Sequence, residues 1–257
     1  MKNTILSAKA LCKSFAHEGG QVHVLSNVDI DIYEGDFTVI MGASGSGKST
    51  MLYALSGMDR ATSGEVIYNG KDIAKLKEKE LSELRHGDFG FIFQQMHLVS
   101  NLTLFENIAV PGYLNKSKSA DEVKARTDML LEKMNIDGVK THLPSQVSGG
   151  EQQRCAIARA VINEPKLLFA DEPTGALNKK NTTDVLDLLT SLNKDGQSIL
   201  MVTHDVRAAL RANRILYIED GKVIGELPLP PYERSDERSD EKSRETQINS
   251  WLSSLEW

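Results

Sequence analysis

Cysteine is scarce in this chain, with Cys12 and Cys155 the two among 257 residues. The two lie far apart, in no spacing typical of metal ligands. Such sparse use of cysteine fits a reducing compartment, and we expect each one to be a small buried residue.

Long apolar runs and an excess of positive charge are missing as well. No run approaches the roughly 20 apolar residues that a membrane span needs, and no apolar segment follows residues 1–4 to form a signal peptide. We therefore expect a cytosolic chain. The formal net charge of -6 and the pI near 5.6 argue against a nucleic-acid binder with a broad basic surface. The length suffices for one large α/β domain with an inserted subdomain.

A glycine-rich stretch is present at residues 42–49, which read GASGSGKS and fit the phosphate-loop pattern at every fixed position. Glycines let successive backbone N–H groups surround an anion, and the helix predicted over 49–56 directs its positive end there. Lys48 adds a full charge, and the Ser49 hydroxyl can ligate magnesium. Because the apolar run 37–41 predicts a buried strand before the loop, we favour a nucleotide-binding loop over a flexible Gly/Ser turn.

The hydrophobic patterns predict an α/β fold of the P-loop NTPase kind, with a parallel sheet core. An antiparallel β-subdomain over 4–34 precedes the core, and a mostly helical subdomain over about 96–163 is inserted in it. We expect Pro111 and Pro144 to break this helical part. The other predicted elements are a hairpin at 66–73, helices at 75–84, 120–134, 182–193 and 205–212, and buried strands at 90–93, 167–170, 199–202 and, last in the core, 215–218.

Two further clusters carry chemistry. Asp171 follows four apolar residues, where a second protein contact to magnesium is expected, and Glu172 is placed to accept a proton from an attacking water. Ser148-Gly149-Gly150 stands at a predicted helix start and offers a second anion-binding site. Since one nucleotide does not need two such sites in one subunit, we infer that this one caps the nucleotide of another subunit.

Together these motifs resemble the ATPase subunit of ABC transporters. Residues 42–49, Gln94, residues 148–150, Asp171-Glu172 and His204 have that family's order and spacing, and the resemblance covers roughly residues 3–227. It is strongest to the branch that serves lipoprotein release, macrolide export and bacitracin or lantibiotic resistance. The segments that carry it read GFIFQ at 90–94, ADEPTGALN at 170–178 and VTHD at 202–205.

The resemblance implies a role for each matched residue. Catalysis is implied for Glu172 as general base, for His204 on the γ-phosphate, and for Gln94 on the attacking water while it senses the membrane partner. Magnesium is implied to bind at Ser49, Gln94 and, through water, Asp171. Contacts to ATP are implied for Phe15, stacked on adenine in place of the more usual tyrosine, for Gly42, Ser44, Gly45, Ser46, Gly47, Lys48, Ser49 and Thr50, and for Ser148, Gly149 and Gly150, which face the other subunit's nucleotide.

Some alternatives stay open at single residues. Phe15 could be a core residue, and His204 a loop histidine with ordinary hydrogen bonds. Glu151 stands where the family usually has glutamine, and Asn178 replaces the usual aspartate. Neither change removes a magnesium ligand or the base, so we expect an active site.

The function expected from this resemblance is a cytosolic MgATP-hydrolysing subunit. It would form a head-to-tail homodimer around ATP and power a separate integral membrane permease, its only contact with the membrane. The transported class would be antimicrobial peptides or released lipoproteins, with no nucleic-acid partner. The alternatives are a soluble ABC ATPase that remodels a protein or nucleic-acid machine, and a nucleotide-binding scaffold without hydrolysis.

The C-terminal part, 228–257, differs in composition from the predicted ATPase domain at 1–227. A mixed-charge run at 233–244 is expected to be a solvated linker. Beyond it, Ile248, Trp251, Leu252 and Leu255 recur at the spacing of one helix face. We expect this helix to dock on its own subunit, on the paired subunit or on the membrane partner.

Overall fold

The computed structural model describes residues 2–17, 19–233, 238–255 and 257. The strands are β1 (Thr4–His17), β2 (Gly20–Tyr33), β3 (Phe37–Met41), β4 (Ser63–Tyr68), β5 (Lys71–Asp72), β6 (Phe89–Ile92), β7 (Leu167–Asp171), β8 (Ser198–Val202), β9 (Arg214–Glu219) and β10 (Lys222–Pro228). The helices are α1 (Lys48–Leu55), α2 (Glu78–Gly87), α3 (Leu104–Leu114), α4 (Ala120–Lys133), α5 (Gly149–Val161), α6 (Lys179–Lys194), α7 (Val206–Ala209) and α8 (Arg238–Ser253). The chain divides into two compact units, Met1–Leu81 with Ser198–Trp257, and Ser82–Gln197.

The first unit holds an antiparallel sheet in the order β2-β1-β4-β5. In β2, Val28, Ile30 and Ile32 are buried and alternate with the exposed residues 27, 29 and 31, as expected of a strand with one face on the core. Asn69 and Gly70 join β4 to β5 with φ of 47° and 75°. Positive φ at both positions is what a type I′ hairpin turn requires, so the predicted hairpin is confirmed.

The same unit contains the parallel strands that carry the glycine-rich loop. β3 lies between β8 and β9 and runs parallel to both, while β10 pairs antiparallel with β9. All five residues of β3 and of β8 are buried. Burial on both faces explains why these strands read as continuous apolar runs rather than as alternating ones.

The second unit combines two parallel strands, β6 and β7, with helices α3 to α6. Helices α3, α4 and α5 begin in the same way, at Thr103, Ser119 and Ser148. Each of these side chains accepts a hydrogen bond from the backbone N–H of a glutamate three residues later. The carboxylate of that glutamate in turn accepts a hydrogen bond from the backbone N–H of the cap residue. Such capping boxes satisfy backbone groups that a helix start leaves without an intrahelical partner.

The prediction that Pro111 breaks the helical part is wrong, because Pro111 lies inside α3 and the helix continues to Leu114. Packing explains the difference. A Cβ on Gly112 would lie 2.7 Å from a methyl group of Val123, so the last turn of α3 packs closely on α4. Asn163 also donates a hydrogen bond to the Pro111 carbonyl, at 3.2 Å. Tertiary contacts here outweigh the cost of the proline.

Three smaller expectations are also corrected. The apolar spacing of Val123, Met129, Leu130 and Met134 predicts that all four lie on the buried face of α4, but Met129 is 47% exposed, whereas Leu131 is fully buried. Residues 123, 127, 130, 131 and 134 form the buried face instead. Cys155 is buried as expected, but Cys12 is half-buried. The helix expected over 205–212 is the single turn α7. The strand at 215–218 is the last buried one, as predicted, because β10 follows β9 but contains no buried residue.

The C-terminal helix α8 packs on its own chain. Ile248 and Leu252 are fully buried, and the ring of Trp251 meets the ring of Tyr217 edge-on, with centroids 6.5 Å apart. Arg244 donates hydrogen bonds to the carbonyls of Leu210, Ala212 and Pro230. Of the three predicted docking surfaces, the structure therefore shows the helix's own subunit.

The solvated linker expected over 233–244 is wrong in its second half, because α8 begins at Arg238. Residues 234–237 of that predicted linker lie outside the described residues. Across the residues that the structure describes, none of the helices combines the length and apolar character required to cross a membrane.

Candidate functional site

The glycine-rich loop connects the end of β3 to the start of α1. Gly42 admits no side chain, because a Cβ there would lie 2.2 Å from the Ile218 carbonyl oxygen. Gly45 and Gly47 have φ of 81° and 101°, in the left-handed region that favours glycine. These three glycines therefore let the backbone turn tightly, as is required of a loop that surrounds a phosphate with its N–H groups.

Charge and polarity in this loop suit an anion. The Lys48 ammonium, itself buried, donates to the carbonyl oxygens of Gly42 at 2.8 Å and Ala43 at 2.7 Å. Helix α1 has Gly47 at its N-cap, and within the described chain no side chain caps it and no acidic residue stands in its first turn. The Ser46 hydroxyl is buried with no protein partner among the described residues. A phosphate group would supply the acceptors that these donors require, so the loop fits a nucleotide.

Two other predicted residues, His204 and Phe15, also belong to the first unit. His204 follows β8, and the N–H of Thr203 donates to the Ile40 carbonyl at 3.1 Å. This hydrogen bond places His204 at the same end of the parallel strands as the glycine-rich loop, and its side chain is exposed there. Phe15 is 43% exposed, which excludes the alternative that it is a core residue.

Lys13 is a neighbour of Phe15 that sequence reasoning missed. Its ammonium lies 4.7 Å from the centroid of the Phe15 ring and also forms an ion pair with Asp59 at 2.6 Å. Residues two apart in a strand share a face, and that spacing is the signal that could have found the pair. An exposed ring with a cation beside it offers a flat surface for a planar, electron-rich group.

In the second unit, β7 brings Asp171 and Glu172 to the end of the strand. Glu172 has φ of 42°, a left-handed conformation that is uncommon for a residue with a side chain. The turn is held by the N–H of Gly175, which donates to the Glu172 carbonyl at 3.0 Å. A backbone held in a strained region at a polar strand end is typical of functional sites.

Gln94 lies beside this turn. Strands β6 and β7 run parallel with Ile92 opposite Ala170, so their following residues leave at the same edge. A Cβ on Gly175 would lie 2.7 Å from the Gln94 Nε2, which shows that the amide packs against the turn. The second unit therefore places Gln94 beside the turn that follows Asp171 and Glu172.

The Ser148-Gly149-Gly150 segment opens α5 and packs against the start of α6. A Cβ on Gly150 would lie 2.6 Å from the side chain of Asn181, so glycine is required for this close approach. Asn178 caps α6 by accepting a hydrogen bond from the N–H of Asn181 at 3.0 Å. Asparagine and aspartate are about equally good caps, which explains how Asn178 can replace the usual aspartate.

Glu151 completes the capping box of α5. The Ser148 hydroxyl donates to the Glu151 carboxylate at 2.7 Å, and the Ser148 N–H donates to it at 2.8 Å. These hydrogen bonds, the hydroxyl's first, hold the pKa of Glu151 below its usual range. The negative charge at this helix N-terminus is therefore stabilised.

A glycine-rich loop with a buried lysine, between a buried parallel strand and a helix, defines a P-loop nucleotide-binding protein. The ABC transporter family matches residues 25–175. The chain belongs to this family, and it is an ATP-binding cassette with the mixed α/β fold and ATPase activity of that class.

Curated relatives give the same assignment. The chain is 44% identical over 232 residues to the macrolide export ATP-binding/permease protein MacB of Mannheimia succiniciproducens, covering 90% of this chain and 36% of that protein. It is 40% identical over 222 residues to MacB 1/2 of Paracoccus denitrificans, covering 86% of this chain and 33% of that protein. The chain therefore spans about a third of the length of these relatives.

Solved structures agree with the sequence comparison. The dimeric ATP-binding cassette MJ0796, bound to ADP and Pi, has a TM-score of 0.81 and 38% identity, covering 88% of this chain and 100% of that one. The cassette cbiO1 of Clostridium perfringens, part of the transporter complex cbiONQ, has a TM-score of 0.77 and 28% identity, covering 88% of each chain. The predicted family and fold class are confirmed.

Proposed function

We propose that this cassette hydrolyses MgATP as a homodimer and powers an integral membrane permease. The observation that carries the proposal is the presence of two anion-type sites in one chain. One is the glycine-rich loop with Lys48. The other is the start of α5, where the exposed Ser148 and Gly149 and the buried Gly150 form the helix N-terminus. A second chain would supply the Ser148 segment to the nucleotide held by the first.

Each residue then has a chemical task. The loop N–H groups and Lys48 hold the phosphates, and His204 holds the γ-phosphate. Glu172 accepts the proton of the attacking water, and Gln94 orients that water. The serine hydroxyl of Ser49 and the carboxylate of Asp171 are hard oxygen donors of the kind that magnesium prefers, and Gln94 adds an amide oxygen.

Magnesium bound there would neutralise charge that develops on the phosphates. The protein's own contribution is positional. Glu172 is fixed by its turn and by packing of Gln94 against Gly175, so little reorganisation is needed when water attacks.

We also propose the cytoplasmic face of the membrane as the place of action, with contact to the bilayer through the permease alone. Antimicrobial peptides or lipoproteins are the proposed transported class. The named relatives are transporter proteins, which favours transport over the remodelling alternative. Purification of the native complex would recover an integral membrane protein if this is right.

Replacement of Glu172 by glutamine tests the proposed chemistry. Glu172→Gln should retain ATP binding, lose about 100-fold or more of the turnover, and accumulate an ATP-bound dimer, because the group that accepts the proton is gone. Lys48→Ala should lose binding itself. Phosphate release and isothermal titration calorimetry measure the two effects.

Glu164 provides a matched control, because it is also a glutamate with positive φ, 57°, but lies in the turn after α5. Glu164→Gln makes the same chemical change away from the proposed site and should keep the parent turnover. A rate for Glu172→Gln close to the parent rate would show that the base is misassigned.

A further inference from the structure

The segment that follows Gln94 is fastened to α5 by side chains of that helix. The Arg159 guanidinium donates to the carbonyl oxygens of Met96 at 2.6 Å and His97 at 2.7 Å. The Gln153 amide donates to the Phe93 carbonyl at 3.5 Å. These three carbonyls flank Gln94 on both sides, so α5 determines where the segment 93–97 lies.

The backbone of this segment is also held in a conformation that needs support. His97 has φ of 49°, in the left-handed region. Its ring meets the Phe93 ring edge-on, with centroids 5.4 Å apart. A non-glycine residue in this region is strained and persists only where its surroundings hold it. The two hydrogen bonds from Arg159, one of them to the His97 carbonyl itself, supply such support.

Helix α5 links this segment to the second anion site. It begins at Gly149, directly after Ser148, and Arg159 stands in its last turn. Gln153 is fully buried between these ends. An α-helix rises about 1.5 Å per residue, so one continuous hydrogen-bonded element connects Ser148 to Arg159.

We propose that Arg159 is a positioning residue that couples the placement of Gln94 to the state of the α5 N-terminus. The inference rests on the proposed function, in which Ser148 meets the partner's nucleotide and Gln94 orients the attacking water. Binding of the partner's nucleotide at the start of α5 would then change the position of Gln94. The Arg159 guanidinium and the two carbonyls that it holds would connect the two.

A purely structural role for Arg159 is the competing explanation, and Arg126 on α4 offers a matched control for it. Arg126 also donates to two consecutive backbone carbonyls, of Val161 at 2.9 Å and Ile162 at 2.7 Å. The chemistry is the same, but these carbonyls belong to the C-terminal end of α5 rather than to the Gln94 segment. Loss of either arginine should lower stability.

The experiment compares Arg159→Met, Arg159→Lys and Arg126→Met in the full chain. Melting temperatures should fall by similar amounts in the two methionine variants. Arg159→Met alone should lower kcat about 10-fold while the affinity for ATP stays near the parent value, because the glycine-rich loop is untouched. Lysine at 159 should restore part of kcat, since its ammonium can still donate to one of the two carbonyls although it lacks the planar geometry of the guanidinium.

Hydrogen exchange at residues 94–98 provides a readout that needs no hydrolysis. Arg159→Met should raise exchange there by about 10-fold or more, and Arg126→Met should leave it at the parent rate. Equal exchange in Arg159→Met and the parent, or an equal loss of kcat in Arg126→Met, would overturn the inference. If the parent chain does not hydrolyse ATP, the proposed function fails, and the exchange measurement still decides whether Arg159 holds the segment.

Discussion

At the scale of single residues, Glu151 shows how one carboxylate can stabilise a helix beside a site meant for another anion. The family usually has glutamine here, and glutamine can form the same capping box without the charge. In this chain the carboxylate takes the hydrogen bonds of both the Ser148 hydroxyl and the Ser148 N–H. The glutamate that departs from the family pattern therefore stabilises the N-terminus of α5.

Glu151 should make stability depend on pH. Its folded-state pKa is lowered from an ordinary value of 4.5, so its contribution is fully present above that value and is lost as the pH falls through the folded-state pKa. Glu151→Gln should be less stable than the parent at pH 7, by no more than about 1 kcal/mol, and the difference should shrink below pH about 4. Urea unfolding at several pH values measures it.

Glu132 on the exposed surface of α4 is a suitable control for the loss of one negative charge. Glu132→Gln should change stability little at any of these pH values. A difference between Glu151→Gln and the parent that stays constant from pH 7 to pH 3 would contradict the role given to the capping box.

At the scale of elements, α8 joins residues distant in sequence through both apolar and polar contacts. Gly225 leaves room for it, because a Cβ there would lie 3.0 Å from both Trp251 and Leu255. The ring centroid of Tyr232 lies 4.3 Å from the guanidinium of Arg211 and 5.8 Å from that of Arg244. The helix is therefore a packed element of the first unit.

Truncation of Leu252 should show how strongly α8 is held. Leu252 is fully buried, and Leu→Ala changes in well-packed cores cost about 2–5 kcal/mol. Asn249→Ala, at an exposed position of the same helix, is the control and should cost far less. Urea unfolding followed by circular dichroism measures both. Equal effects of the two changes would mean that α8 is not packed as the structure shows.

Local patterns explain why much of this fold could be predicted from the sequence. The glycine-rich loop, β3 and the hairpin at Asn69-Gly70 depend on residues close in sequence, and their predictions are confirmed. Contacts between distant residues left no such signal. Gly150 packs against Asn181, and Arg159 donates a hydrogen bond to the carbonyl of Met96. Only the folded chain brings these residues together, so no local pattern predicts the contacts. Pro111 was misjudged for the same reason.

At the scale of the whole molecule, the two anion-type sites predict that ATP brings two chains together. In a Glu172→Gln background, which holds the ATP state, ATP should double the mass seen by light scattering and ADP should not. Ser148→Arg should abolish this association and the ATPase activity of the parent, because a bulky cation would occupy the shared surface.

The cap of α4 allows a matched control, since Ser119 forms the same capping box as Ser148. Ser119→Arg loses an equivalent cap and a similar amount of stability, about 1 kcal/mol, yet it should still associate with ATP. An unchanged mass with ATP, with ADP and with no nucleotide would count against the dimer.

The packing of Trp251 against Tyr217 also determines what intrinsic fluorescence can measure in this protein. Both tryptophans of the sequence, Trp251 and Trp257, belong to the C-terminal segment. Intrinsic tryptophan emission therefore follows the attachment of α8. The chain thus contains its own fluorophore for this element, and a tryptophan introduced at Phe15 would add a probe at the proposed adenine contact.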